Sequence, residues 1–566
     1  DKKELEQWPI FRLGQFKGGV LFEKVDKRTY PFKNLAKRTV GFVNANGEGA
    51  GIERSFDKEL AGIDGRALYQ KIAGGDWKPV RNSARIRPVD GFDVYTTLNV
   101  NMQDVAHQAL EKALIQHDAN FGCVVIMEVN SGEIKAMVNL DRVKAGVYRE
   151  NYNYALDDEG SLDPGSTFKT PSMMALLEDT TLTLSDTIET GGGTYRYYDR
   201  VMRDTRSGGW GRLTLNEAFI YSSNIGVSRL ISRHFGQMKR NPDLYVNYIH
   251  KFGLGEALTS LHMAGIAKPY IKNTTDNTWS GVSLPWMSIG YELKVSPLQL
   301  LTFYNAIAND GYAMAPYLVR KITNAGEVIK EYKSQKSTTP ICSPETLLKM
   351  KILLRGVVER GTAKNINTKK YSISGKTGTS QKIDTRGRYI KKYKASFAGF
   401  FPSDEPKYSM IVVIDEPRGA EQYGGDVSAP VFRRIADQLY KMDVDIQTKD
   451  IPRETPLYMT NLPRNEVGSV DDIIQISQEL GISTQPKTEN EWVSPVPRRY
   501  AVQWRELKIQ HGTIPNVKGM TFRDALYLLE NKGLEVFYSG KGRVKTQSLM
   551  PGSPLRRGDK IVINLE

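Results

Sequence analysis

From residue 96 to residue 138 the hydrophobic pattern changes its period. Across residues 102–115 apolar side chains return at Val105, Ala109, Leu110 and Leu114, the spacing of one face of an α-helix, with Thr96-Thr97-Leu98-Asn99 leading in. Residues 122–129 are then apolar except for Glu128, the pattern of a buried strand. Asn130-Ser131-Gly132-Glu133 supplies a turn, and residues 134–138 return as a hairpin partner. A second strand-turn-strand pattern follows Ser374-Gly375-Lys376, with residues 395–401, a Pro-Ser-Asp turn and residues 408–414. Helical patterns fill the interval 165–365. Helices held between two sets of antiparallel strands predict an α+β domain over residues 96–440.

Outside that block the pattern is shorter-ranged. Residues 1–95 show brief β-like runs broken by glycine, such as Thr39-Val40-Gly41-Phe42-Val43, and are expected to form a β-rich N-terminal domain. Over residues 441–512 the apolar pattern weakens and prolines recur at Pro452, Pro456, Pro463, Pro486, Pro495 and Pro497; this reads as a linker with one short helix near 470–480. Residues 513–566 are patterned again. Thr521 is a candidate N-cap for a helix over 521–531, Gly533 lies just past its end, strand-like residues 534–538 and 560–565 follow, and Pro551-Gly552 makes a turn between them. That is a small helix-on-sheet module.

Composition narrows the class. The chain has 566 residues, 40% hydrophobic and 25% charged, which suits two to four globular domains. A formal charge of +14 could serve nucleic acid, but the basic residues are dispersed and no nucleic-acid motif is present, so no nucleic acid is expected. Anionic lipid headgroups or anionic wall polymers fit the charge better. No stretch of about 18 apolar residues occurs, and no signal peptide is expected in this stretch of sequence. The two cysteines, Cys123 and Cys342, are expected to be buried free thiols. The histidines form no paired set with carboxylates, so no metal and no cofactor are expected.

Three short motifs carry the chemistry. In Ser166-Thr167-Phe168-Lys169 the hydroxyl and the amine are three residues apart, one turn of a helix, so the amine can act on the hydroxyl. The preceding Leu162-Asp163-Pro164-Gly165 reads as a loop entering a helix, which sets Ser166 among outward-facing backbone N–H groups. Ser222-Ser223-Asn224 lies 56 residues on, and Lys376-Thr377-Gly378-Thr379 a further 154. Each has an ordinary reading: Ser222 and Asn224 could cap a helix beginning at Ile225, and Lys-Thr-Gly could be a solvated turn. Together and in this order they are far more specific. Tyr195, Tyr197, Tyr198 and Trp210, between the first two motifs, could line a groove or simply pack.

On these residues the chain resembles the monofunctional class B penicillin-binding proteins, peptidoglycan D,D-transpeptidases, and is most similar to the septal, penicillin-binding protein 3 type. Further likeness lies in Ser288-Ile289-Gly290-Tyr291-Glu292, Val295-Ser296-Pro297-Leu298-Gln299, Gly361-Thr362-Ala363, Phe397-Ala398-Gly399-Phe400-Phe401-Pro402, and Gly424-Gly425 through Ala429-Pro430-Val431-Phe432. Arg28-Thr29-Tyr30-Pro31, Gly51-Ile52-Glu53 and Leu60-Ala61-Gly62 resemble the pedestal domain of the family. Ile514-Pro515-Asn516-Val517, Asp524-Ala525 and Pro551-Gly552-Ser553 resemble a PASTA domain. One departure is plain: the middle residue of the second motif is Ser223 rather than Asp.

The resemblance implies a fold and a division of labour. The fold is an α+β multidomain one: an N-terminal pedestal over 1–95, a serine transpeptidase/β-lactamase-like domain over 96–440 with an antiparallel sheet and a helical subdomain, a linker over 441–512 and a PASTA domain over 513–566. Ser166 is the expected nucleophile and Lys169 its base. Lysine titrates near 10.4 in water, so it must be made neutral by burial and a second cation, for which Lys376 is the candidate. Ser222 relays a proton, and Asn224 presents its amide to the substrate backbone. Thr377, Gly378 and Thr379 bind substrate, and the backbone N–H groups of Ser166 and Thr379 form the oxyanion hole.

The implied partners are stem peptides ending in D-Ala-D-Ala, β-lactams as covalent inhibitors, a membrane glycan polymerase and other division proteins. The implied place is the extracytoplasmic face of the cytoplasmic membrane, held by an N-terminal anchor absent from this sequence. Rival readings are an elongation- or sporulation-type transpeptidase, a D,D-carboxypeptidase or β-lactamase-like acyl hydrolase, and a non-enzymatic β-lactam sensor or wall-binding scaffold.

Overall fold

The structure, a computed structural model, describes the chain apart from residues 1, 20–28, 33, 45, 73–76, 81–85, 161–162, 237–241, 384–388, 444–445, 447–466, 480–490, 498–501, 508 and 510. Arg28, Leu162, Pro452, Pro456, Pro463 and Pro486 therefore lie outside the described residues. Contacts divide the chain into two compact units, one of Asp1–Ala175 with His234–Leu439 and one of Leu176–Arg233 with Tyr440–Glu566.

The first unit is built on a six-stranded antiparallel sheet. Its strands are β1 (Phe121–Glu128), β2 (Ile134–Lys144), β3 (Val147–Arg149), β4 (Ser374–Ile383), β5 (Tyr389–Phe401) and β6 (Tyr408–Asp415), in the order β4-β5-β6-β1-β2-β3. The β1-β2 and β5-β6 hairpins are those the apolar runs predict, and both are buried because helices cover the two faces. Alternate residues point to opposite faces, so pairing register tells which helix covers which face. Gly122 faces Leu110 and Leu114 of helix Val100–Gln116: a Cβ on Gly122 would stand 2.9 Å from Leu110 Cδ1. Phe397, in register with Val412 and through it with Val124, lies on that same face and meets Phe432 of helix Ser428–Met442, with ring centroids 4.8 Å apart.

Ser409, paired with Met127, points the other way and donates to Asn305 of helix Pro297–Ala308 at 2.7 Å. That helix starts where its sequence says it should. Ser296 caps it, Gln299 closes the capping box, and Pro297 occupies the first turn, where a missing N–H costs nothing. Helix Val100–Gln116 is likewise capped, by the Asn99 side chain accepting from the Asn101 and Met102 N–H groups.

The N-terminal stretch corrects an expectation. Instead of a β-rich domain, the described residues form short helices, among them Lys37–Val40, Gly51–Ser55 and Asp57–Leu60, and strand pairs of two or three residues. The run Thr39-Val40-Gly41-Phe42-Val43 is half helix. Gly41 sits at φ +86, and a Cβ on it would fall 1.7 Å from Ala50 O, so this close approach ends the helix and leaves only Phe42–Val43 as strand. The helix docks on β2, with Thr39 Oγ1 donating to Met137 O at 3.2 Å and the Arg38 N–H to Glu150 Oε2 at 2.9 Å.

The interval 165–365 is also less purely helical than its pattern suggests. It contains the strand pair Thr187–Gly191 with Gly211–Thr214, the hairpin Thr194–Tyr197 with Arg200–Arg203, and the pair Val319–Asn324 with Glu327–Glu331.

The second unit includes the C-terminal module. Helix Phe522–Asn531, capped by the Thr521 side chain on the Asp524 N–H, packs on strands Glu535–Ser539, Val544–Gln547 and Lys560–Leu565. Val544–Gln547 is a strand that the alternating pattern did not single out. The stretch read as a linker carries more regular structure than its prolines suggest. Besides helix Val470–Glu479 it holds a sheet of Gly468–Ser469, Trp492–Pro497 and Val502–Glu506, and Trp492 is buried in one cluster with Ile514, Val517, Met520 and Leu529. The strand forms with the Trp492 ring buried although Pro495 and Pro497 withhold two backbone donors from it. Cys123 and Cys342 are buried and not joined in a disulfide. Among the described residues no helix is long and apolar enough to cross a membrane.

Candidate active site

Ser166 lies on a 3-10 turn, Gly165–Phe168, that runs directly into helix Lys169–Glu178. The Lys169 N–H donates back to the Ser166 and Thr167 carbonyls, so the hydroxyl and the amine share one turn. Glycine makes the turn possible. Gly165 adopts φ +60 and its N–H donates to Gly290 O at 3.1 Å; a Cβ there would stand 3.0 Å from both Thr379 O and Ser380 Cβ. The backbone ahead of Ser166 is thereby laid against β4 at the place where Thr379 sits. The turn is further held by Tyr304, whose hydroxyl donates to Thr167 O at 2.9 Å and meets Thr170 Oγ1 at 2.6 Å.

β4 is an edge strand, and its alternation sorts the third motif. Lys376 and Gly378 occupy one face, Thr377 and Thr379 the other. Lys376 pairs with Ala398, and through Ile411 with Val125, which puts it on the face covered by helix Pro297–Ala308. Gly378 permits the close approach: a Cβ on it would fall 2.2 Å from Ser396 Oγ, 2.8 Å from Thr167 Cγ2 and 3.2 Å from Pro164 O. On the opposite face Thr377 Oγ1 meets Thr362 Oγ1 at 2.6 Å, and Thr379 Oγ1 accepts from the Gly424 N–H at 3.0 Å. The Gln381 N–H donates to Tyr291 Oη at 3.1 Å.

Lys169 and Lys376 are both fully buried. Burial first, and then the charge of Lys169, hold the Lys376 ammonium well below the usual lysine range. Lys376 Nζ also donates to Thr377 O at 3.1 Å. Burial and like-charge proximity disfavour a proton on both amines, which favours an amine able to accept one. Lys-Thr-Gly is thus a buried strand segment and not a solvated turn.

The second motif belongs to the second unit. It follows helix Leu215–Ile220, which is closed by a Thr214–Glu217 capping box. Ser222 stands at φ +57, a left-handed conformation that costs a non-glycine residue about 1–2 kcal/mol. Helix Asn224–Phe235 begins next, and its cap is Ser223, whose Oγ accepts from the Gly226 N–H at 2.8 Å, rather than Ser222 or Asn224. Asn224 Nδ2 donates to Arg203 O at 2.8 Å. Tyr195 and Tyr197 lie on the adjacent hairpin, with ring centroids 4.7 Å apart; Tyr198 is exposed at its tip, and Trp210 stacks on Tyr221 at 4.6 Å.

The first and third motifs therefore meet within the first unit, while Ser222 and Asn224 form a separately braced turn in the second. Gly290, Tyr291, Tyr304, Thr362 and Gly424 serve the site without having been given a role on sequence. Four of them were visible as family-like segments, but their contacts reach from 15 to 137 residues along the chain and leave no local pattern.

Comparison with known proteins agrees with this layout. Residues 122–437 match the family described as penicillin binding protein transpeptidase domain, and residues 512–566 match the PASTA domain. Peptidoglycan D,D-transpeptidase FtsI of Buchnera aphidicola (subspecies Schizaphis graminum) is 29% identical, over 75% of this chain and 71% of that protein. Stage V sporulation protein D of Bacillus subtilis is 26% identical, over 97% of this chain and 77% of that protein. Among solved structures, penicillin binding protein 3 of Mycobacterium tuberculosis in complex with ampicillin superposes with a TM-score of 0.62 at 26% identity, covering 74% of this chain and 90% of that one.

Proposed function

Since the chain belongs to the penicillin-binding protein transpeptidase family, we propose that Ser166 is the nucleophile through which it cross-links peptidoglycan. The protein is a serine-type peptidoglycan D,D-transpeptidase, and β-lactams acylate it as substrate mimics. Ser166 Oγ attacks the penultimate D-Ala carbonyl of a stem peptide and passes its proton to the Lys169 amine. The developing oxyanion is held by the Ser166 and Thr379 N–H groups, each worth on the order of 3 kcal/mol. The C–N bond to the terminal D-Ala then breaks, and the leaving amine takes up a proton relayed by Ser222 from Lys169 or Lys376. An amine of a second stem peptide attacks the Ser166 ester, gives its proton to the same base, and restores the hydroxyl. Asn224 orients the substrate backbone, Thr377 and Thr379 hold its carboxylate, and Gly378 lets the Ser166 turn lie close to β4.

The observation that carries this reading is the burial of Lys376 with Lys169, which favours a neutral amine next to Ser166. Intact-mass measurement with a penicillin tests it. The parent protein is expected to gain one lasting adduct, and Ser166→Ala none. Persistent labelling of that variant would remove Ser166 from its role, and turnover of the adduct within seconds would favour an acyl hydrolase.

The septal role is supported by the relatives named FtsI. It goes with an N-terminal membrane anchor, an extracytoplasmic catalytic domain and partnership with a glycan polymerase. A sporulation role is the second reading, favoured by the sporulation protein that aligns with 97% of the chain. Depletion separates them, since filamentous growth marks the first and a sporulation block with normal growth marks the second.

A further inference from the structure

Ser223 stands where the second motif of the family can carry an aspartate, yet a carboxylate is present there in space. Asp204 lies 19 residues earlier, immediately after strand Arg200–Arg203. Its Oδ2 accepts from Ser223 Oγ at 2.8 Å, and its Oδ1 accepts from the Ile225 N–H at 3.1 Å. One carboxylate therefore bridges the middle residue of the motif and the first turn of helix Asn224–Phe235, where a negative charge is favoured. The neighbouring Arg203 carbonyl accepts from Asn224 Nδ2 at 2.8 Å. Two consecutive residues, Arg203 and Asp204, thus hold Asn224 and Ser223, the last two of the three motif positions.

Asp204 is itself fixed. Its N–H donates to Gly193 O at 3.0 Å. The hairpin that delivers it is pinned to the same helix: Tyr197 Oη meets Ser228 Oγ at 3.0 Å, Ser228 Oγ donates to Met202 Sδ at 3.0 Å, and Met202 is buried. The clamp opposes the strain in the turn. Ser222 is left-handed, and it can remain so only if the residues after it are over-determined. Ser223 meets that need with its hydroxyl, which donates to Asp204 and accepts from the Gly226 N–H at 2.8 Å.

We propose that Asp204 is a positioning residue for the Ser222-Ser223-Asn224 turn, supplying from a neighbouring hairpin the carboxylate that Ser-Asp-Asn motifs supply from within. Asp204 touches neither substrate nor reacting atoms; it sets the backbone on which Ser222 and Asn224 are presented. This rests on the transpeptidase reading above.

The test moves the carboxylate between the two positions and follows penicillin acylation of the whole chain by stopped flow, with melting temperature alongside. Asp204→Ala is expected to acylate roughly 10- to 100-fold more slowly. Ser223→Asp alone is expected to slow acylation as well, because two carboxylates would then share one hydrogen-bond distance. The double variant D204A/S223D restores one carboxylate, now able to accept from the Gly226 N–H, and is expected to acylate within about threefold of the parent. Asp204→Asn, alone and with Ser223→Asp, repeats the cycle with shape retained should the alanine variant fold poorly. Acylation of D204A at the parent rate overturns the proposal. So does a double variant no faster than D204A at an unchanged melting temperature, since a merely structural aspartate gives no such rescue. A parent that takes no label at Ser166 sinks the transpeptidase reading instead, which keeps the two failures apart.

Discussion

Gly290 meets Gly165 backbone to backbone. Its carbonyl accepts the Gly165 N–H at 3.1 Å, and a Cβ on Gly290, at φ +87, would fall 2.1 Å from Gly165 O. The residue before the candidate nucleophile is therefore seated by a glycine 125 positions away. Gly290→Ala is expected to strain its own backbone by about 1–2 kcal/mol and to displace the Ser166 turn as well. A lowered melting temperature with a tenfold or greater loss of acylation rate checks this. Parent-like acylation would show that the turn does not depend on this contact.

Lys376 gives a pH-dependent signature. Burial and the Lys169 charge lower its pKa in the folded protein from the ordinary 10.5. Between the lowered value and 10.5 the unfolded chain binds a proton that the folded chain does not, so stability rises with pH across that window. Lys376→Met lacks this rise. It is expected to melt at or above the parent at pH 7 and to lose that advantage as pH climbs towards 10. Its acylation should fall on the order of 100-fold or more. Melting curves of both proteins across pH 6–10, with penicillin labelling at each point, provide the measurement.

Gly378 predicts a steric effect with a built-in partial rescue. Its absent Cβ would collide with Ser396 Oγ at 2.2 Å and press on Thr167 Cγ2 at 2.8 Å. Gly378→Ala should therefore push β4 away from the Ser166 turn, destabilising the protein by about 1–3 kcal/mol. Adding Ser396→Ala removes the nearer obstacle and should recover part of the loss in denaturant titration. No recovery would place the cost elsewhere.

Glu150 titrates in the opposite sense. Burial pushes its carboxyl up to about 7, against the hydrogen bond from the Arg38 N–H. A folded pKa above the unfolded 4.5 means that stability is fully present below pH 4.5 and is lost as pH rises to about 7. Glu150→Gln keeps the acceptor and removes the ionisation. Its melting temperature should match the parent near pH 4.5 and exceed it at pH 8, by an amount equivalent to roughly 3 kcal/mol or less. Identical pH profiles would show that Glu150 does not ionise in the folded state over this range.

The features legible in the sequence are those set by residues near one another along the chain. Ser166 and Lys169 share a turn because three intervening bonds of helix put them there. The hairpins around residues 122–138 and 395–414 follow from apolar runs broken by turn residues, and the helix caps at Asn99, Ser296 and Thr521 from side chains that accept local N–H groups. The residue types also name the chemistry, since a hydroxyl needs a nearby amine to become a nucleophile.

Tertiary structure decided whether that chemistry has a setting. Nothing local says that Lys376 is buried with Lys169, that Gly290 seats Gly165, or that a carboxylate 19 residues away stands against Ser223. Desolvation, close backbone approach and like-charge proximity are properties of space, and chain spacing does not encode them. The same limit explains the misread stretches: the N-terminal residues took short helices where glycines meet neighbouring backbone, and the proline-rich stretch gained a sheet because Trp492 finds a core supplied by residues downstream of it.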